Sequence, residues 1–312
     1  MNLRITGQVQ TSSAIANIRA RGADLAKFQE QINSGLRVKS ASDDPVAYPA
    51  LLSAKGASAR LSSFSAAATD ASATLNDSDT ALGDVNDVLV RARQIALEGA
   101  DTATSSGPGA LEALASEVDG LIDRALRSAN VKPDGKPLYA GTATDVTPFR
   151  VSATDAFGRP TAIAYDGAAE SARALTGPGQ TVDTRAAGDQ LFQRPGADVF
   201  QSLLNLRDTL RDTSINDTTR SQQLNARLGD VDAARKALGE ARGAQAANLV
   251  GLEATQALIS DQKLSADTRT GELEGTDFAE AVVRMKEMDT ALQAIYATTV
   301  KIVQPGILDF IR

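Results

Sequence analysis

The 312 residues include no cysteine, no histidine and no tryptophan, and only 4% are aromatic. Without Cys the chain has neither a disulfide nor a thiolate nucleophile; without His it lacks the usual imidazole base and the common zinc-ligand sets. Few catalytic strategies survive, so the expectation is a non-enzyme with no catalytic residue, cofactor or metal. With so few rings a core has to be built from Leu, Ile, Val and Ala, and abundant Ala favours long, closely packed helices. Positive charge is also short. The formal net charge is −7 and the 32 Lys and Arg are scattered, which gives no footprint for nucleic acid or an acidic membrane. No window suits a bilayer span, and the polar opening MNLRITGQVQTSSAIANIRARG has no signal-peptide apolar stretch, so export would need a specialised route.

What the chain does have is helical periodicity, interrupted in one informative place. Residues 31–52, QINSGLRVKSASDDPVAYPALL, stop one apolar-periodic segment and start another. Gly35 can take the left-handed conformation that closes a helix. Ser42, Asp43 and Asp44 offer side-chain oxygens to orphan backbone N–H groups, and Pro45 has the fixed φ of a first helical position. Before this hinge, Ile15, Ile18, Leu25, Phe28 and Ile32 form a seam, with Gly7 expected to break the pattern. After it, Leu61, Phe64, Ala68, Ala71, Leu75, Ser78, Leu82, Val85, Leu89, Ala92 and Ala96 alternate steps of three and four, a sustained heptad that Gly99 and the turn at 105–109 should end. A third helix carries Leu111, Leu114, Val118, Leu121 and Ala125 on one face.

Composition changes over 132–192, where Pro and Gly recur and Phe149 with Val151, then Ile163 with Tyr165, alternate as strands do. Asp134-Gly135 and Asp166-Gly167 read as turns, and Gly177-Pro178-Gly179 as a loop. Helix returns at Phe200, Leu203, Leu204 and Leu210, then in a long segment from Leu224 to Ile259. The last helix, capped by Thr276 and Asp277, carries Ala281, Met285, Met288, Leu292, Ile295, Thr299 and Ile302 on one stripe, and Pro305-Gly306 should stop it before the apolar tail of Ile307, Leu308, Phe310 and Ile311. The predicted fold is mainly α: an elongated coiled-coil or helical-bundle rod with paired N- and C-terminal helices and a small β-rich insert. The expected division is a terminal paired-helix layer from 1–40 with 274–312, a helical rod from 41–131 with 196–273, and the insert at 132–195.

Other patterns have plainer readings. Asp77, Asp79, Asp84 and Asp87 lack calcium-loop spacing and read as a solvated helix face. Asn216-Asp217-Thr218 matches a glycosylation acceptor, but a helix cap explains it as well.

Two stretches carry a resemblance. NSGLRVKSASDDPVA, at 33–47, resembles the N-terminal signature of the bacterial flagellin superfamily, and TDFAEAVVRMKEMDTALQAIYATTVKIV, at 276–303, is similar to its C-terminal helix. Pro-Val-Ala after Asp-Asp, together with PLYAGTATDVTPF at 137–149, Tyr165-Asp166-Gly167 and the run Gly188-Asp189-Gln190-Leu191-Phe192, looks like the branch that joins hook to filament; the filament subunit is the alternative. A secreted tip or translocator protein of an injection apparatus ranks below both, for want of a membrane-seeking stretch.

The resemblance implies a structural, extracellular flagellar subunit that self-assembles in a ring or helical array beside a neighbouring hook-associated protein and flagellin. It also implies delivery by the flagellar type III export apparatus without a cleaved signal, with a cytosolic chaperone on the C-terminal stripe from Ala281 to Ile302. On this reading Ser34, Gly35, Leu36, Arg37, Asp43, Asp44 and Pro45 form a subunit-contact hinge. Arg37 makes charged contacts either to its own loop or to a neighbouring copy, and the insert projects outward.

Overall fold

A three-four apolar spacing unbroken from Leu61 to Ala96 calls for one uninterrupted helix. The computed structural model, which describes residues 2–105 and 108–303, supplies it as α2 (Ala47–Ser105). The other helices are α1 (Asn2–Ser34), α3 (Pro108–Ala129), α4 (Gly188–Phe192), α5 (Val199–Arg211), α6 (Asp217–Glu274) and α7 (Phe278–Val303). Among the described residues only three small two-stranded antiparallel sheets accompany them: β1 (Phe149–Thr154) with β2 (Pro160–Tyr165), β3 (Ala172–Gly177) with β4 (Gln180–Arg185), and β5 (Gln193–Arg194) with β6 (Ala197–Asp198). The fold is therefore mainly α with a small β-containing insert. The expected Pro305-Gly306 stop and the apolar tail lie outside the described residues, as do Ser106 and Gly107 of the expected turn. The chain divides into two compact units, 1–60 with 262–312 and 61–261, and both boundaries fall inside α2 and α6.

In the 61–261 unit, four helices share one core. The α2 seam of Leu82, Val85, Leu89, Ala92 and Ala96 meets Leu114 and Val118 of α3, Leu203 and Leu210 of α5, and Leu224 and Val231 of α6. Each such Leu contributes about 1.5–3 kcal/mol on leaving water, which is what holds helices of modest intrinsic propensity in register. Gly99, expected to end α2, lies inside it. A Cβ there would sit 2.6 Å from Leu210 Cδ2, so the residue serves the close approach of α5, and packing outweighs the roughly 1 kcal/mol by which Gly disfavours helix. Two of the aspartates of α2 are surface partners: Asp79 takes two bonds from Arg242 of α6, at 2.9 and 3.0 Å, and Asp84 one from Arg124 of α3 at 3.2 Å. Asn216 caps α6, its Oδ1 accepting from Thr219 N–H at 2.8 Å.

The insert has no core of its own. Tyr139, Phe149 and Phe192 are buried with Phe200 of α5, the Phe149 ring centroid lying 5.3 Å from that of Phe192 and 5.1 Å from that of Phe200. Tyr139 donates its hydroxyl to Ser78 O at 2.9 Å, and burial pushes that hydroxyl's pKa far above the usual tyrosine range. Asn130, just past α3, brackets Phe149 by accepting from its N–H and donating to its carbonyl, both at 2.8 Å, which starts β1. Further along, Arg207 of α5, with 3% of its side chain exposed, donates to Pro160 O at 2.5 Å. The β1–β2 hairpin is thus laid along α5.

A second hairpin forms where the sequence suggested only a loop: Gly179, at φ 72°, turns β3 into β4. Its Ala174 and Val182 pack on Ala68, Ala71, Leu75 and Leu252. This part of the insert is seated on the helices.

In the other unit, α1 pairs with α7. Gly7, expected to break the pattern, is spanned by α1 without interruption, since a single Gly costs only about 1 kcal/mol in a long helix. Ile18, Leu25, Phe28 and Ile32 lie half-buried, and Ile15 is 43% exposed. Among the side chains described, none of α1 is fully buried, and in α7 only Ala281 and Leu292 are. Two helices make one layer, and a layer cannot enclose a core.

Candidate functional site

The hinge begins where α1 runs out of partners for its last carbonyls. Gly35 closes it at φ 70°, its N–H donating to Gln31 O at 2.8 Å, and Ser34 turns its hydroxyl back to Glu30 O at 2.7 Å. The chain then extends for a residue and pairs with the segment between α6 and α7. Leu36 bridges Gly275 antiparallel, with Arg37 N donating to Glu274 O at 2.6 Å and Thr276 N to Gly35 O at 2.9 Å. Residues far apart in sequence are joined by this short ladder.

Arg37 is its centre. One guanidinium nitrogen donates to Asp44 Oδ2 at 2.9 Å and the other to Leu273 O at 3.0 Å. The second is a C-cap from outside the helix: a cation placed on the orphan carbonyls at the negative end of α6. The first reaches the residue that starts α2. Asp44 caps that helix, its Oδ1 accepting from Val46 N at 3.1 Å and Ala47 N at 2.9 Å and its carbonyl from Tyr48 N at 3.0 Å, which puts Pro45 in the first-turn position its fixed φ favours. Within the chain, Arg37 joins the start of α2 to the end of α6. Lys55 of α2 adds an ion pair to Glu274.

Two expected caps do something else. Asp43 points backward, accepting from Lys39 N at 3.1 Å and from Ser40 N and Oγ, both at 2.9 Å. Ser42 bonds Ser40 across the turn at 2.8 Å. Asp43 therefore shapes the loop, and the helix start is left to Asp44, because only Asp44 precedes the first helical N–H groups at capping distance. Similarly Asp277 caps α7, with Oδ1 accepting from Ala279 N at 2.9 Å and Glu280 N at 3.1 Å. The Thr276 hydroxyl is buried without a hydrogen-bond partner among the described residues. Val38, buried to 1% exposure beside these polar groups, was missed in the sequence, where one Val in a polar run carries no period.

Hydrogen bonds hold both loop carboxyls in the charged form: Ser40 first for Asp43, and the Ala47 N–H, then Arg37, for Asp44, so each pKa lies below its ordinary value of 3.8. Because the folded pKa is the lower one, the ties are complete above about pH 3.8 and are lost as pH falls through the folded value. Protection of the Lys39, Ser40, Val46 and Ala47 amides, followed by exchange, is expected to hold down to about pH 4 and to fail below it. Loss between about pH 6 and pH 5 would contradict the assignment.

The stripe of Ala281, Met285, Met288, Leu292, Ile295 and Thr299 is the least exposed face of α7 and belongs to the helix that pairs with α1; Arg21 of α1 donates to Met288 Sδ at 3.6 Å. The side chain of Ile302 is outside the described set. The hinge residues are brought together around Arg37, whereas the stripe runs along α7 as a separate surface.

Residues 5–144 match the family described as the bacterial flagellin N-terminal helical region. The chain is 24% identical over 320 residues to flagellar hook-associated protein 3 of Escherichia coli strain K12, covering 94% of this chain and 95% of that one. Two solved structures share the fold. One is a flagellar hook-associated protein from Vibrio parahaemolyticus, with TM-score 0.66, 22% identity and coverage of 75% of this chain and 100% of that one. The other is the flagellar junction protein FlgL from Legionella pneumophila, with TM-score 0.59, 13% identity and coverage of 72% and 100%. Among the described residues no helix is long and apolar enough to cross a membrane, and no acidic cluster suits a metal ion.

Proposed function

We infer that the chain is a structural subunit of the bacterial flagellum, joining hook to filament. The likeness to hook-associated protein 3 across 94% of the chain carries this reading. The terminal helices support it physically, because a layer with two fully buried residues among those described in α7, and none in α1, gains stability when identical neighbours cover its remaining apolar surface. In the assembly, 1–40 with 274–312 would form the inner layer, the helical part of 41–131 with 196–273 an outer one, and 132–195 the exposed insert. The role is mechanical and needs no catalysis. The subunit stands outside the cell between a neighbouring hook-associated protein and flagellin, and the flagellar export apparatus delivers it uncleaved. Ser34 to Arg37 with Asp43 to Pro45 form the hinge through which the layers act on each other. The α7 stripe suits helix-in-groove capture by a cytosolic chaperone before export.

The alternative, a filament flagellin, is favoured by the family match at 5–144, which is to the flagellin N-terminal region. Deletion of the chain separates the two. A junction subunit leaves hooks intact while flagellin is shed into the medium; retained filaments would remove the junction reading, and disappearance of the major filament protein would assign the chain as flagellin.

A further inference from the structure

The chain has three methionines, and two of them, Met285 and Met288, stand one turn apart on the stripe of α7 that carries the contact to α1. Ala281 and Leu292, the two fully buried side chains described in α7, bracket them, while both methionines keep part of their surface in water. Leucine would fill the seam as well, since Leu and Met exchange at little cost in packing. What methionine adds is a thioether sulfur, which small oxidants convert into a polar sulfoxide.

The two sulfurs have different surroundings. Arg21 of α1 directs a guanidinium N–H at Met288 Sδ from 3.6 Å, and its other partner, Asp24, lies on its own helix at 3.5 Å. The Arg21 side chain is 49% exposed, so it is free to follow an oxygen added to that sulfur. The bond it then makes is charge-assisted and goes to a far better acceptor than a thioether. Met285 has no hydrogen bond at its sulfur among the described residues. Oxygen added there places an unpaired S=O dipole between Ala281 and Leu292, and a polar group taken from water without a partner disfavours the packed state. A layer of two helices has little other burial to offset that loss.

We propose that Met285 and Met288 form an oxidant-sensitive modification site in which Arg21 holds the sulfoxide of Met288 within the α1–α7 pair, whereas the sulfoxide of Met285 parts the two helices. The reagent is a two-electron oxidant of the peroxide class. Met Sδ gives a lone pair to one oxygen of hydrogen peroxide, the O–O bond breaks as the S–O bond forms, and proton transfer releases water; sulfur is oxidised and the peroxide reduced. One seam thus contains a tolerant and a sensitive thioether.

The test uses the purified full-length chain and its Met285→Leu and Met288→Leu variants, treated with hydrogen peroxide until peptide mass mapping shows the remaining methionine of the pair as sulfoxide. Amide exchange over 281–292 is then compared with that of the untreated sample. It should quicken about tenfold in oxidised Met288→Leu and by less than about twofold in oxidised Met285→Leu. Adding Arg21→Leu to Met285→Leu should bring its oxidised form to about the tenfold response, and methionine sulfoxide reductases should reverse both large changes. Equal responses of the two single variants, no response in either, or indifference to Arg21→Leu would overturn the proposal. Freely exchanging amides in the untreated chain would overturn it as well, there being no pair to part. Nothing in this requires the flagellar reading, which deletion of the chain tests separately.

Discussion

Arg37→Glu is expected to abolish motility while the chain is still made at the normal level. The change removes two charge-assisted bonds, to Asp44 and Leu273 O, and substitutes a carboxylate that faces Asp44 and the negative end of α6. Buried, each lost bond would be worth about 1.5–3 kcal/mol. With 44% of the Arg37 side chain exposed, solvent screening brings the pair down to about 1–2 kcal/mol, and the new repulsion adds roughly 1 more. Such a loss falls on the segment that fixes where α2 starts and α6 stops, so it is felt in every copy of an assembly. Arg37→Met should show the smaller effect, and Arg37→Lys should recover less than half, because one ammonium cannot span both acceptors. Motility halos and amide exchange at Arg37, Val46 and Ala47 report the two levels, and unimpaired assembly of Arg37→Glu would show that the hinge is no more than a turn.

Phe149→Ala should cost about 3–5 kcal/mol, the range for deleting a fully buried ring. Phe149 is 1% exposed and touches three aromatic neighbours, Tyr165, Phe192 and Phe200, at 5.1–5.3 Å between ring centroids. For a unit of this size, thermal melting should drop by on the order of 10 °C. Near-ultraviolet circular dichroism should flatten while the helical signal at low temperature persists, because the rings lie at the junction of insert and helices. Phe149→Leu, which leaves a smaller void, should lose about half as much. A fall of only about 2 °C for the alanine variant would mean that the insert and the helices are not coupled through this ring.

The parts of this fold that were legible are those written in a period. The heptad from Leu61 to Ala96, the face of Leu111, Leu114 and Val118, and the stripe of α7 each place buried residues at fixed spacing, and the helices follow. Gly35 and Asp277 were legible for a different reason, since their chemistry suits one local conformation. Gly7 and Gly99 misled because glycine's cost to a helix is local and small, while the close approach that Gly99 serves, Leu210 against it, comes from more than a hundred residues away. The β3–β4 hairpin was hidden because Ala174 and Val182 are its apolar contacts to the helices, too few to show alternation. At the hinge, sequence supplied Arg37 and Asp44 but not Leu273 or Glu274, because a backbone carbonyl has no signature in the residue that bears it.

The shared aromatic core of insert and helices bears on how this chain can vary. Phe149, Phe192 and Tyr139, with Leu138 and Ile163, complete a cluster whose remaining buried members belong to α2, α3, α5 and α6, so the segment between α3 and α5 is not a cassette that could be exchanged for another surface. Replacing it wholesale would open the helical core, whereas lengthening the chain at the turns of 155–159 or 177–180 would leave every buried ring in place. Diversity in the exposed surface is therefore confined to the two hairpin tips, and a decoy epitope or affinity tag grafted there should leave the unit's melting intact.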